Sequence, residues 1–464
     1  MNFSRTQQRT KVVSLWANIG FREFYELDGH WEGVQPPAHF RPRFSYLPYV
    51  LAQAGTTTKA TAGLDVRAAL TPSLTGVFTV NPDFSTVERA VEGIDFSYSE
   101  RFVPDRRPFF LEGEKFYTER TLLGSFFHSP RIEDFDTGLN FYGKVAPKTS
   151  LGVLDAYSLD GRNDFVLRAR QEFTETDSAD LSVIGRDESD GNNYVFVAHP
   201  TLRRGPWFFT THWAPSLADG EVAGDALNVD FSYRGKRFWL GDTYHYIRPD
   251  FRDDNGFIPF TDFQGHFSWL RYQNEWREGA VRRLIWLALF NTEDRFDGSR
   301  FRRQPSLLLN LETRGDYGIG LRWEGGEFEQ FQDNVFGLSL RAKVSDKFHN
   351  YGVGLQFGRQ KGEELIFVTP SISWRFGERF SLGAASSILS HIESRQQHIL
   401  TVNYDLTKAK SIGGRVVVQN DHTSAFLSFR RSGYSGMDYY VIVGDPNPAK
   451  KFTAELFVKV VKPF

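Results

Sequence analysis

Phe452-Thr453-Ala454-Glu455-Leu456-Phe457-Val458-Lys459-Val460 is the stretch whose reading decides the fold. Phe452, Ala454, Leu456, Val458 and Val460 share one side of an extended chain, and Thr453, Glu455, Phe457 and Lys459 share the other. An apolar face backed by a largely polar one is the pattern of a half-buried strand. The sequence then stops at Phe464. A terminal aromatic residue after such a strand is the usual ending of an outer-membrane β-barrel.

The same alternation recurs upstream. Residues 43–81 offer three strands, the middle one with Leu64, Val66, Ala68 and Leu70 opposite Asp65, Arg67 and Ala69. From Asp136 onward the order is strand, turn, strand. Leu227, Val229, Phe231 and Tyr233 oppose Asn228, Asp230, Ser232 and Arg234, while Phe336, Leu338 and Leu340 oppose Gly337, Ser339, Arg341 and Lys343. The segments fit the roughly 9–11 tilted residues that a strand needs to cross a bilayer. Counting them gives about 24 strands, within about 22–26, and an even number is expected. A chain built this way must close on itself or expose unpaired edges. The expected fold is therefore all-β: one large, closed, antiparallel transmembrane barrel over residues 43–464. Asp230, Arg234, Arg341, Lys343, Glu455 and Lys459 should face the lumen, and their apolar neighbours should face lipid. Residues 248–262, 291–304 and 434–451 read as the longer, polar connections.

Composition agrees. Aromatics reach 16% of 464 residues, yet mean hydropathy is -0.40. Such a chain suits a wet lumen, a lipid-facing band and aromatic girdles. Cys 0 removes any disulfide framework, thiolate metal site or cysteine nucleophile. The 55 basic and 57 acidic residues leave a net charge of -2, which is no footprint for nucleic acid. No stretch approaches the roughly 18 apolar residues of a transmembrane helix. No residue signature repeats as in a propeller.

Residues 82–135 break the strand rhythm with Pro82, Pro104, Pro108, Pro130 and many charges. A connection this long is a functional or packed insert. It is too charged for lipid and too rich in rings for water, so it is expected inside the barrel or against its periplasmic mouth. Arg101, Arg106 and Arg107 should then meet lumen carboxylates, while Phe109 and Phe110 fill gaps along the wall. With Glu88, Asp105 and Glu112 these residues are the candidate plug or constriction.

Other chemistry is weaker. Asp250, Asp253 and Asp254 precede Gly256 and are a weak candidate for Ca²⁺, but the spacing does not complete an EF-hand and an acidic turn is the simpler reading. His128, His199, His212, His245, His266, His349 and His422 are scattered, without HExxH or a close pair, so no metal site is read from them. His212, between Trp207 and Trp213, reads as part of an interfacial girdle. Gly433-Tyr434-Ser435-Gly436 is no nucleophile elbow, and no phosphate-binding glycine loop is present. No cofactor and no catalysis are expected; a membrane-embedded hydrolase is a third reading.

Leu47-Pro48-Tyr49, Gly63-Leu64-Asp65, Val80-Asn81-Pro82-Asp83-Phe84-Ser85 with Val87-Glu88, and Phe102-Val103-Pro104-Asp105-Arg106-Arg107-Pro108-Phe109-Phe110-Leu111-Glu112 follow one another across residues 47–112. In order and spacing this region resembles a bacterial outer-membrane barrel family catalogued as domain of unknown function 5916. Gly256-Phe257-Ile258-Pro259 resembles a later family motif. The chain departs from the pattern at Asp105-Arg106 and at Arg89-Ala90-Val91. The family's barrel usually follows a periplasmic module similar to the family 9 carbohydrate-binding modules. The resemblance implies that residues 1–42, with Asn2-Phe3, Arg5, Arg9 and Trp16, lead in from such a module, and that the module and a signal peptide lie upstream. Met1 to Arg9 themselves carry no apolar h-region.

The expected function is passage or binding of a solute at the bacterial outer membrane, saccharides among them, constricted by the insert. The alternative is a non-conducting barrel that anchors a periplasmic or surface complex. Expected partners are outer-membrane lipid, the barrel-assembly machinery through the strand ending at Phe464, and a periplasmic or surface protein complex; nucleic acid is not one.

Overall fold

Leu456 lies opposite Ala54, Val460 opposite Val50 and Val461 opposite Tyr49, so the strand Glu455–Val461 pairs antiparallel with Arg43–Ala54. That pairing joins the last strand to the first and closes a 24-strand antiparallel barrel. In this computed structural model the described residues are 40–462, less 56–57, 83–90, 92, 106, 347, 432–437 and 446–451, together with the short paired strands Ser4–Thr6 and Val13–Leu15. Glu88, Arg106, Phe464 and most of the 1–42 lead-in lie outside the described residues.

Neighbours in the ring follow chain order throughout. The third strand, Leu74–Val80, pairs directly with the fourth, Thr137–Ala146. Residues 81–136 therefore leave the wall and return to it beside their point of departure. Of the connections read as long, 248–262 is one. Residues 291–304 are mostly wall, divided between Val281–Asp294 and Arg300–Thr313. Residues 434–451 include the strand Asp438–Gly444. Polar strand ends, at residues 291–294 and 300–304, give the first of these stretches the composition of a connection.

Alternation assigns the two faces. Phe231, Leu340 and Leu427 point outward and are 53%, 44% and 58% exposed, with similar side chains on strand after strand. Water would make so broad an apolar belt unfavourable. Hydrocarbon is its solvent, and the chain is an outer-membrane barrel. On the other face, Asp230 accepts hydrogen bonds from Ser232 (3.0 Å) and Thr243 (3.1 Å). The Arg234 guanidinium lies over Phe208 at 4.3 Å. Lys459 sits 5.8 Å from the buried Tyr49 ring. Glu455 and Lys459 share the inward side with Phe457, which is 8% exposed. Arg341 shares its side with the inward Asp333 and Val335.

Lys343 is a correction. Its strand ends at Ala342, and Lys343 itself takes a positive φ of 56°. Its ammonium lies 4.7 Å from the ring of Trp374. Trp374 is on the same side of its strand as the exposed Ile372 and Phe376. The backbone turn breaks the alternation, so Lys343 leaves the lumen face and sits at the rim.

Leu340→Arg should cost assembly about 2–4 kcal/mol, because it sets a charge against lipid, whereas Arg341→Leu should be tolerated. Folded fraction after refolding into lipid vesicles checks this; equal tolerance of both changes would contradict the assignment of faces.

Candidate functional site

The insert is fastened to the wall where it departs. Asn140, fully buried on the fourth strand, donates to the carbonyls of Phe109 (3.0 Å) and Glu112 (2.6 Å). Phe109, Phe110 and Phe135 pack as a ring cluster with centroids 5.1–5.7 Å apart. A Cβ at Gly152 would lie 2.4 Å from the Phe116 carbonyl oxygen, so glycine there lets the insert backbone rest directly on the wall. Two short helical turns, Pro108–Leu111 and Glu114–Tyr117, form this root.

From the root the insert crosses the lumen. The Tyr98 hydroxyl donates to the Asp333 carboxylate at 2.8 Å, and its ring stacks on Phe328 at 3.9 Å. Lys361 donates to the Ser97 carbonyl at 2.6 Å. Ile94 and Phe96 pack against Val335, Leu365 and Leu389. Counted from Arg43–Ala54, these wall residues lie on or beside the fifteenth to nineteenth strands, whereas the root lies between the third and fourth. In a ring of 24 that is about half the circumference, so the segment spans the barrel.

A second segment, residues 248–262, folds in from the same rim. Ser125 and Phe257 exchange backbone hydrogen bonds of 2.9 and 2.7 Å, and the Asn255 carbonyl accepts from the His128 amide at 2.7 Å. Phe102 packs on His128 and Phe257, with centroids 4.7 and 5.3 Å away. Phe260 reaches Phe301 and Phe328, both at 5.5 Å. A Cβ at Gly256 would meet an Asp253 carboxylate oxygen at 2.1 Å, so a larger residue here would have to displace that side chain.

The charges are arranged in the reverse sense to the sequence-based expectation. Arg107 pairs within the insert, with Asp105 at 2.6 Å, and donates to the carbonyls of Ile132 (2.6 Å) and Ser129 (2.7 Å). Burial would raise the Asp105 carboxyl, but the Arg107 hydrogen bonds and charge outweigh it and hold it below the usual carboxylate range. Arg101 donates to the Gly93 carbonyl at 3.3 Å, again within the insert. Among the described residues, arginines of the wall bridge to the insert. Arg67 meets Glu112 at 3.4 Å. Arg168 meets Glu119 at 3.2 Å and the Thr118 carbonyl at 2.9 Å. Arg186 donates to the Arg131 carbonyl at 3.0 Å and to Asn255 at 2.9 Å. Sequence spacing shows which residues alternate but not which carboxylate folds back onto its own loop.

The acidic turn does not gather as a cation site. Asp254 is held by Arg252 at 2.7 Å. Asp253 turns both carboxylate oxygens away from solvent, toward the backbone amides of Asn255 and Gly256. Burial, with Asp254 beside it, pushes its carboxyl well above the usual range. The sequence also separated residues that the fold unites: Glu119 of the insert meets His199 at 3.0 Å, and His199 stacks on His212 with centroids 3.7 Å apart. Only the pairing of Gly191–Arg204 with Trp207–Ala218 brings the two histidines together, and no local motif announces it.

Two clefts flank the insert. One, of about 400 Å³, is lined by Tyr49, Lys59, Asn81, Asp134 and Asp160. The other, of about 580 Å³, is lined by Phe96, Tyr98, Arg101, Arg322, Glu324 and Gln360.

No family model and no curated protein matches the chain. Among solved structures it is similar to the siderophore receptor PirA from Pseudomonas aeruginosa, at 8% identity over 91% of this chain and 80% of that one, with a TM-score of 0.47. It is similar to the copper transporter OprC at 10% identity, 93% and 82% coverage and a TM-score of 0.45. The translocation pore of the P pilus usher PapC gives 8% identity, 91% and 99% coverage and a TM-score of 0.35. The assignment of the fold rests on the strand pairing of this chain itself.

Because the fold raises the Asp253 carboxyl, ionising it works against the fold, and stability is lost as pH rises from the ordinary carboxylate range through the raised folded value. Asp253→Asn should therefore raise thermal stability at neutral pH, with a smaller gain in acid, and added Ca²⁺ should leave both proteins unchanged. A melting temperature lowered by the substitution at neutral pH, or raised by Ca²⁺ only in the wild type, would contradict this.

Proposed function

We propose that this chain is an outer-membrane barrel that passes or binds a polar solute, with the 81–136 insert as its constriction. The observation that carries this reading is the Tyr98–Asp333 contact on the far side of the lumen from the insert's root. A 24-strand wall is too wide for side chains to fill and would otherwise enclose an aqueous channel. The polar clefts beside the insert are the natural passage or binding places. The larger one sets Phe96 and Tyr98 among Arg101, Arg322, Glu324 and Gln360. Rings beside bidentate donors and acceptors suit a saccharide, which offers apolar ring faces and many hydroxyls. Membership of the 5916 barrel family, with a carbohydrate-binding-like module ahead of the barrel, is part of the same proposal and supports a sugar-related solute.

The second reading is a closed barrel that anchors a protein complex. The number of ties between insert and wall favours it, since a plug fastened at both ends moves only at a cost.

Conductance in planar bilayers separates the two. Replacing residues 91–133 with a short Gly/Ser linker should raise conductance, provided that heat-modifiable gel migration shows an assembled barrel. The milder pair Tyr98→Phe and Lys361→Ala, which frees only the distal arm, should raise it less. Unchanged conductance in the assembled deletion variant would favour the anchor.

A further inference from the structure

Among the described residues, one set of three metal-ligating side chains converges: Glu119 of the insert with His199 and His212 of adjacent wall strands. One ligand atom from each lies within 4.8 Å of the others. A cation at their centre needs inward shifts of about 1 Å or less to reach metal–ligand lengths of about 2 Å. We propose that this cluster binds a single divalent cation of the zinc type, which bridges the insert to the wall.

The donor set fits that class. Two imidazoles and one carboxylate suit Zn²⁺ and its borderline neighbours and do not suit Ca²⁺ or Mg²⁺, which prefer all-oxygen shells. Three protein ligands also leave a fourth position open. The site is built and buried. His212 is 7% exposed, and its Nδ1 has no hydrogen-bond partner. A buried lone pair without a donor is costly, and a cation would satisfy it. His199 is oriented from behind: its Nε2 lies 2.9 Å from the Thr210 hydroxyl and 3.2 Å from the Thr201 hydroxyl. A hydroxyl accepts as readily as it donates, so Nε2–H can donate to Thr210 while Nδ1 turns its lone pair inward. The Ser182 hydroxyl donates to the second Glu119 oxygen at 3.3 Å and steadies the carboxylate.

The surrounding charges allow it. Arg168 lies 2.8 Å from Asp180 and 3.2 Å from Glu119. Arg170 also reaches Asp180, at 3.5 Å. With a cation present, Arg168 keeps Asp180 and releases Glu119 to the metal. The alternative is a hydrogen-bonded latch in which Glu119 ties His199 and Arg168 with no metal at all.

The site stands or falls by binding, whether or not the insert gates the lumen. Purified full-length chain in detergent, stripped with chelator, is titrated with Zn²⁺ against a chromophoric competitor. The expected result is one Zn²⁺ per chain at micromolar free metal. His199→Ala and His212→Ala should each weaken binding at least about tenfold, since even outer-shell changes cost that much. Glu119→Gln keeps the side chain's size, lies on the insert and leaves the wall untouched, so it tests the site even if a wall variant fails to assemble; the same loss is expected. His422→Ala, on a distant strand, should bind as the wild type does. Loading with Co²⁺ should give visible d–d bands that are lost in His212→Ala. A folded wild-type protein that binds no zinc at micromolar free metal, or zinc binding unchanged in folded Glu119→Gln or His199→Ala/His212→Ala, would overturn the proposal and leave the latch.

Discussion

A bilayer offers backbone groups no hydrogen-bond partner, and everything else in this protein follows from meeting that demand at the seam between Glu455–Val461 and Arg43–Ala54. Each unpaired N–H or C=O there would cost several kcal/mol. The seam even accommodates a proline. Pairing with the last strand ends at Tyr49, opposite Val461, and the Lys462 amide still donates to the Pro48 carbonyl at 3.3 Å. The N–H and C=O of one strand residue point to the same neighbour, so the donor that Pro48 lacks would have faced the position just past the last strand's final pair. The proline thus falls where the ladder is already ending.

Closure at this circumference creates a second problem. A small barrel fills its interior with side chains, but this one encloses more space than its inward residues can occupy. The chain itself supplies the filling, in two segments that share backbone hydrogen bonds through Ser125 and Phe257. The apolar part of that filling is continuous with the wall: Phe110, Phe126, Leu154, Val166 and Phe301 belong to one buried cluster. The polar part is matched pairwise, with wall arginines meeting insert carboxylates and carbonyls. Removing one partner of such a buried pair costs about 3–5 kcal/mol, because the other is left uncompensated. Elsewhere the wall balances its own charges, as where buried Glu293 meets Arg302 at 2.7 Å, with the His245 ring 2.8 Å away.

The wall was legible in the sequence because a strand's side-chain period is fixed by covalent geometry. Asp230 and Phe231 go to opposite faces whatever surrounds them. The interruption at Pro82 to Phe135 was legible for the same reason, as a loss of period. Lys343 was misread because a positive φ ends the alternation, and nothing in its neighbours marks that turn. Within the insert, period gives no guide. Arg107 was read as reaching outward, yet Asp105, two residues away, offers a closer partner. The segment 248–262 reads as a longer, polar connection, and its Phe251, Phe257 and Phe260 end up among the packed rings. Glu119, His199 and His212 meet only through tertiary structure, since 80 residues separate Glu119 from His199.

The distance along the chain between the insert's two attachments also sets an order of events. The root residues join strands that are adjacent in sequence, and their contacts are local enough to form early. Tyr98 and Asp333 are 235 residues apart. The distal arm cannot dock until the fifteenth and sixteenth strands stand in the wall, so its contacts are far less local than those of the root. The far contacts are therefore made after the local ones, by a segment already rooted between the third and fourth strands. During that interval Ile94, Phe96 and Tyr98 have no partner on the far wall, and it is the curling of the sheet toward closure that delivers one to them.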